Sequence, residues 1–194
     1  MNISGVVLSG GKSSRMGTNK SLLTLEGKPV IEHITNELQL VSHTVSVISN
    51  TPSSFDFLNL DLYKDRYLNL GPLAGLESAI YHIDADVYIC AACDMPFIHK
   101  DVYDYLLHSL GDFDAVIPIY NEKMHPLSGI YTSNVLPEIQ QLLANDQLKV
   151  RELFDHINVK YVRDFGGIPE YILTRHFFNM NYPNQYEEAK RESL

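Results

Sequence analysis

Residues 86–92 read DVYICAA, an apolar run with almost no alternation between apolar and polar positions. A strand with one wetted face alternates, because successive side chains point to opposite sides. This run therefore predicts a strand covered on both faces, and such strands belong to parallel sheets held between layers of helices. The rest of the chain can supply those layers. Strand-like runs at 3–8, 44–49, 60–64, 115–119, 127–131 and 159–162 are interleaved with helix-spaced segments at 29–40, 72–83, 99–109, 134–144, 150–156 and 184–192. In the first of these helices Pro29 suits the opening turn, and Ile31, Ile34 and Leu38 share one face. The expectation is a three-layer α/β fold around a Rossmann-like, open, mostly parallel sheet. Antiparallel pairing is expected only where the connection is short, between 115–119 and 127–131.

With 194 residues and 45% hydrophobic content the chain can bury one sizeable core, so residues 1–194 are read as a single domain. No apolar stretch approaches the ~20 residues of a membrane span. The amino terminus lacks a basic-then-apolar leader, which makes a cytoplasmic location the expectation. A net charge of -9 argues against nucleic acid as a partner, since that binding relies on many cationic contacts. Any anion site must be local. Cys90 and Cys93 form a C-x-x-C, but there is no second pair to complete a zinc site, and the motif closes an apolar run where a redox pair would open a helix. They read as small core residues.

The local anion site is legible directly after the first strand. Residues 8–23, LSGGKSSRMGTNKSLL, place two adjacent glycines beside Lys12, Arg15 and Lys20, and all 24 acidic residues of the chain lie from Glu26 onward. Adjacent glycines let the backbone turn sharply and bring its N–H groups close to an anion, which makes this a phosphate-gripping loop. It is not a Walker A loop: that pattern needs a glycine where Val6 stands, and Gly5 misses by one residue. No G-x-G-x-x-G can be drawn through Gly10 and Gly11 either. In open sheets ligands bind beyond the carboxyl ends of the strands. Asn50, Asp65 and Asp94 each follow a predicted strand and converge on the edge that carries the loop. Asp94, in C-D-M-P, is either a helix N-cap or a ligand for magnesium, a hard cation that needs few protein carboxylates. The glycine loop favours the metal.

Leu8, Gly10, Gly11, Ser13, Arg15, Met16, Gly17 and Lys20 together fit the nucleotidyltransferase signature L-x-G-G-x-S-x-R-M-G-x-x-K. Within that superfamily the chain resembles the molybdenum cofactor guanylyltransferases. G-P-L-A-G at 71–75 and N-M-N-Y-P at 179–183 carry the resemblance further, the latter with Tyr182 where the family has threonine. The resemblance implies transfer of GMP from GTP to the terminal phosphate of molybdopterin, with Mg2+ as cofactor. It implies Arg15, Lys20 and Asp94 as catalytic residues, with Asp94 holding the metal. GTP would be bound by Leu8, Ser9, Gly10, Gly11, Lys20, Asn50, Asp65, Gly71, Gly75 and Asp94. Asp65 could accept from the guanine N1–H and amino group or from ribose. On the molybdopterin side the resemblance points to His125, Asn179 and Asn181, the two asparagines projecting to one side of an extended strand. Lys12 falls at a position the family leaves open. A GTP-binding adaptor protein and molybdoenzyme chaperones are possible further partners. The rival expectations are a relative using CTP on molybdopterin or an NTP on a sugar phosphate, and a non-catalytic nucleotide-binding module.

Overall fold

The computed structural model describes residues 1–10 and 19–192, so Gly11, Lys12, Ser13, Arg15, Met16 and Gly17 lie outside the described residues. The chain opens with β1 (Ile3–Ser9), then a hairpin of β2 (Thr24–Leu25) and β3 (Lys28–Pro29) that leads into α1 (Val30–Gln39). β4 (Thr44–Ser49), β5 (Asp61–Lys64), α2 (Pro72–His82), β6 (Val87–Ala92) and α3 (Lys100–His108) follow. Next come β7 (Ala115–Tyr120), β8 (Lys123–Met124), β9 (Ile130–Thr132), α4 (Leu136–Ala144), α5 (Val150–Leu153) and β10 (Val159–Val162). The chain closes with α6 (Glu170–His176) and α7 (Pro183–Glu192).

The sheet runs β10-β7-β9-β6-β1-β4-β5, with β8 paired to β7. β1 pairs in parallel with both β4 and β6, and β9 is antiparallel to both its neighbours, β6 and β7. The antiparallel element expected at 127–131 is thus real but shifted. Residues 126–128 form a 3-10 turn, and the strand begins only after Gly129, where a Cβ would stand 2.9 Å from both the Ile117 side chain and the Val116 carbonyl. Only a residue without a side chain lets the chain enter the sheet there.

Burial on both faces explains the central run. Every residue of β6 is buried; Val87, Ile89 and Ala91 face the layer of α1, α3 and α6, whereas Tyr88 and Cys90 face α2, α4 and α5. Removing such side chains from water is the main stabilising term, about 1.5–3 kcal/mol for each large aliphatic one. At Gly5 a Cβ would stand 3.0 Å from the Leu38 side chain, so the absent side chain lets α1 lie close on β1. Successive strands move outward from β1 to β4 and β5, and the chain then returns through α2 to β6 on the other side of β1. The strand order therefore reverses between β1 and β6. Crevices beyond the carboxyl ends of strands at such reversals are where open sheets hold ligands.

Three local features depart from the sequence expectation. A type I′-like turn at Glu26–Gly27, with φ of 49° and 79°, makes the β2–β3 hairpin, and Asn121–Glu122, with φ of 48° and 58°, does the same between β7 and β8. α6 was not anticipated. Asn179 and Asn181 lie on no strand: the segment between α6 and α7 is irregular, since no neighbouring strand is there to pair with it.

Candidate active site

A cavity of about 350 Å³ opens at the sheet's carboxyl edge, lined by Leu8, Gly10, Ile48, Asn50, Asp65, Asn69, Gly71, Pro72, Gly75 and Leu127. Six residues expected to meet the nucleotide, Leu8, Gly10, Asn50, Asp65, Gly71 and Gly75, are gathered in this one wall. Gly71 caps α2 with φ 88°, a left-handed conformation that side chains resist, and Pro72 then starts the helix. At Gly75 an added Cβ would meet only Leu8, at 3.5 Å or more, so packing does not demand glycine there. The side chain it lacks leaves room in the cavity.

Asn50 and Asp65 both line the cavity and both carry acceptor oxygens. Asn50 Oδ1 is buried and has no hydrogen-bond partner among the described residues. Asp65 is buried; its Oδ1 accepts from Tyr67 N at 3.0 Å and from Ser78 Oγ at 3.1 Å. Both bonds fall on the same oxygen. The turn that carries Asp65 is held to α2: Arg66 N donates to Ser78 Oγ, and the Arg66 guanidinium pairs with the fully buried Glu77, which also accepts from Gln140 Nε2 at 2.9 Å.

A charged cluster is built at the ends of β1 and β6. Lys20 opens a 3-10 turn capped by Asn19, whose Oδ1 accepts from Ser21 N, and the buried Ser21 hydroxyl lies 2.8 Å from Ser9 Oγ at the end of β1. Ser9 therefore anchors the lysine turn and is not among the cavity-lining residues. Lys20 Nζ donates to Asn181 Oδ1 at 2.8 Å. Asp94 sits just past β6, and its carbonyl accepts from Met180 N at 2.7 Å. Burial raises the Asp94 carboxyl above its ordinary value; Lys20 opposes this most, followed by a backbone hydrogen bond, Lys123 and the Asn181 side chain. Lys20, Asp94 and Asn181 are thus brought together, with Lys123 near enough to act on the carboxylate.

The three residues expected on the molybdopterin side do not act alike. Asn179 turns away to donate from Nδ2 to the Phe177 carbonyl at 2.8 Å, while Asn181 reaches Lys20. His125 is buried, with its ring centroid 4.6 Å from that of Phe177, and burial together with Lys123 lowers it to about 4, so it is neutral near pH 7. The neighbouring His176 is fully buried and lowered to about 3, chiefly by burial. Its Nδ1 accepts from His99 N at 2.9 Å, which leaves Nε2 as the protonated nitrogen facing Ser128 Oγ at 2.8 Å. Tyr103 OH joins Ser128 to the Cys90 carbonyl in β6. This chain of bonds anchors α6, and hence the segment carrying Met180 and Asn181, to the central strand. Cys90 is pushed up to about 12 by burial and Cys93 is raised by the same cause, so both thiols stay protonated.

Sequence reasoning missed Asn69, Ile48, Leu127 and Lys123. Asn69 has φ 63°, a conformation for which asparagine is a recognised signal, and Ile48 lies on the strand just before the singled-out Asn50. Leu127 and Lys123 belong to the connection whose path was unforeseen.

Among the described residues no group of three or more His, Cys, Asp or Glu stands together as a ready metal cage. Magnesium-like cations do not need one: one or two carboxylates, waters and substrate phosphates suffice. Asp94, with Lys20 acting on its charge, fits that donor set.

An open parallel sheet that places a base-sized cavity, a lysine and a carboxylate at its point of reversal has the architecture of nucleotide-handling α/β enzymes. The chain belongs to the family of the MobA-like NTP transferase domain, whose family model matches residues 5–160. It is 35% identical over 189 residues, covering 96% of this chain and 94% of the relative, to a probable molybdenum cofactor guanylyltransferase of Carboxydothermus hydrogenoformans. A protein of the same description from Clostridium perfringens is 35% identical over 188 residues, with 95% and 94% covered. The solved structure of molybdopterin-guanine dinucleotide biosynthesis protein A from Archaeoglobus fulgidus has the same fold, with a TM-score of 0.82 at 23% identity and 97% of each chain covered. Nucleotidyltransferases generally use a divalent metal, and none of the described helices is long and apolar enough to cross a membrane.

Proposed function

We propose that this chain, acting as one domain in the cytoplasm, transfers GMP from GTP to the terminal phosphate of molybdopterin, with Mg2+ as the divalent metal. The products are the guanine dinucleotide form of the cofactor and pyrophosphate. The observation that carries the choice of base is the Asp65 carboxylate in the cavity wall, both of whose hydrogen bonds fall on one oxygen, with Asn50 beside it. Guanine offers donors at N1–H and at its amino group, so acceptors suit it; the pairing edge of cytosine offers one amino donor and two acceptors.

Chemistry follows from the neighbouring cluster. A phosphate monoester has a second pKa near ~6 and is already an anionic nucleophile at neutral pH, so no general base is required. Lys20 neutralises charge that builds on the α-phosphate region as pyrophosphate leaves, and Arg15 is assigned to the same oxygens. When bound at Asp94, a divalent cation supplies Lewis-acid stabilisation of those phosphates. Gly10 and Gly11 bring backbone N–H groups to the triphosphate, and Gly71 and Gly75 leave room for the nucleoside. The segment carrying Asn179 and Asn181, with His125 behind Phe177, forms the molybdopterin side. Support for placing it there is the Met180 N bond to the Asp94 carbonyl, which lays this segment against the reaction centre.

The test is the initial rate of pyrophosphate release with molybdopterin and each of the four NTPs. GTP is expected to be used well and CTP poorly. Turnover with CTP but not GTP overturns the reading.

A further inference from the structure

Lys20 and Asp94 carry opposite charges and feel each other electrostatically, yet they form no ion pair within 4.0 Å. The lysine instead donates to Asn181 Oδ1 at 2.8 Å. The Asn181 side chain is also among the groups that favour the charged form of Asp94. An asparagine amide is suited to this position because it has an acceptor at one end and donors at the other. Its oxygen accepts from the cation, and its N–H groups are donors of the kind a carboxylate takes. The backbone that carries the amide is fixed: Asn181 N donates to Gln185 Oε1 at 2.7 Å, and the fully buried Met180 donates its N–H to the Asp94 carbonyl.

We infer that Asn181 is a positioning residue whose amide stands between Lys20 and Asp94 and keeps them from closing into a direct ion pair. The inference rests on the reading of Asp94 as the metal carboxylate. A carboxylate closed onto a lysine must break that pair before it can take a divalent cation, and the lysine is drawn away from the phosphates. With the amide between them, Asp94 keeps its lone pairs available and Lys20 stays extended toward the triphosphate. Aspartate at 181 would satisfy the lysine but repel Asp94; leucine would satisfy neither.

The test is direct titration of the full chain with Mn2+, followed by the electron-paramagnetic signal of the free ion, with no substrate present. Asn181→Ala is expected to weaken Mn2+ binding about tenfold, the scale on which residues supporting a metal ligand act. In a Lys20→Met background the same substitution should weaken Mn2+ binding much less, because the cation that would collapse onto Asp94 is gone. Unaltered Mn2+ affinity in Asn181→Ala, or equal weakening in both backgrounds, overturns the spacer role. If Asp94→Asn binds Mn2+ as the native chain does, the metal reading itself falls, and the spacer with it. Asn181→Ser, too short to span both groups, carries the test should the alanine variant not fold.

Discussion

The cavity wall and the charged cluster share one sheet edge but are assembled from very different stretches of chain. Apart from Leu127, the wall comes from residues at the carboxyl ends of β1 and β4, from those that follow β1, β4 and β5, and from the first turn of α2. Each of these loops is fixed by the strand before it. The cluster instead joins Lys20 to Asn181, 161 positions away, through a segment with no regular structure of its own. Most of the wall can thus form with the first half of the sheet, whereas the reaction centre waits for the chain's last sixth to dock on Asp94. Binding and chemistry should accordingly separate under mutation.

The largest effect is expected at Asp94. Asp94→Ala should lower kcat by about a thousandfold or more while GTP still binds, as read by isothermal titration calorimetry; an unaltered rate removes the carboxylate from the mechanism. Lys20→Met should cost about a hundredfold in kcat, with a smaller change in KM for GTP. On the wall the pattern should invert. Asp65→Asn replaces a charged acceptor with an amide, and a charge-assisted bond is worth about 1.5–3 kcal/mol, so KM for GTP should rise roughly tenfold to a hundredfold with kcat changed less. A kcat loss at Asp65 as large as that at Lys20 would erase the distinction between the two regions.

Smaller still is Gly75→Ala. The new methyl meets Leu8 at an ordinary distance and glycine disfavours a helix interior by up to ~1 kcal/mol, so the variant should melt at the same temperature or slightly higher while GTP binds less tightly. The docking of the last segment can be read from pH. His176, lowered to about 3 in the fold against an ordinary value near ~6.5, contributes stability that is complete above the unfolded value. That contribution is lost as pH falls from there toward the folded value. Urea unfolding at pH 7.5 and 5 should show a steeper loss in the native chain than in His176→Asn, and parallel slopes would mean that the buried imidazole does not bear on docking.

The same contrast governs what could be read from the amino-acid sequence. The parallel core was legible because an unalternating run such as 86–92 has few other homes, and strand ends point to Gly10, Asn50, Asp65 and Asp94 without knowledge of distant contacts. Hairpins at Glu26–Gly27 and Asn121–Glu122 were missed: glutamate is a weak signal for a left-handed turn, although the first has glycine beside it. The delayed entry of β9 depends on what surrounds Gly129 in three dimensions, and no local pattern records it. Asn179 and Asn181 looked alike in the motif yet serve different partners, one its own backbone and the other a lysine far away in sequence. Spacing in a strand-like motif predicts a shared face only if a neighbouring strand exists to keep it extended.

The claim at the centre of the account, guanylyl transfer to molybdopterin, is tested most directly by following both halves of GTP through the reaction. With GTP labelled at the α-phosphate, one label should appear in a molybdopterin guanine dinucleotide of the expected mass for each unlabelled pyrophosphate released. Label appearing as free GMP, release of orthophosphate in place of pyrophosphate, or no product joining guanine to the pterin would contradict it.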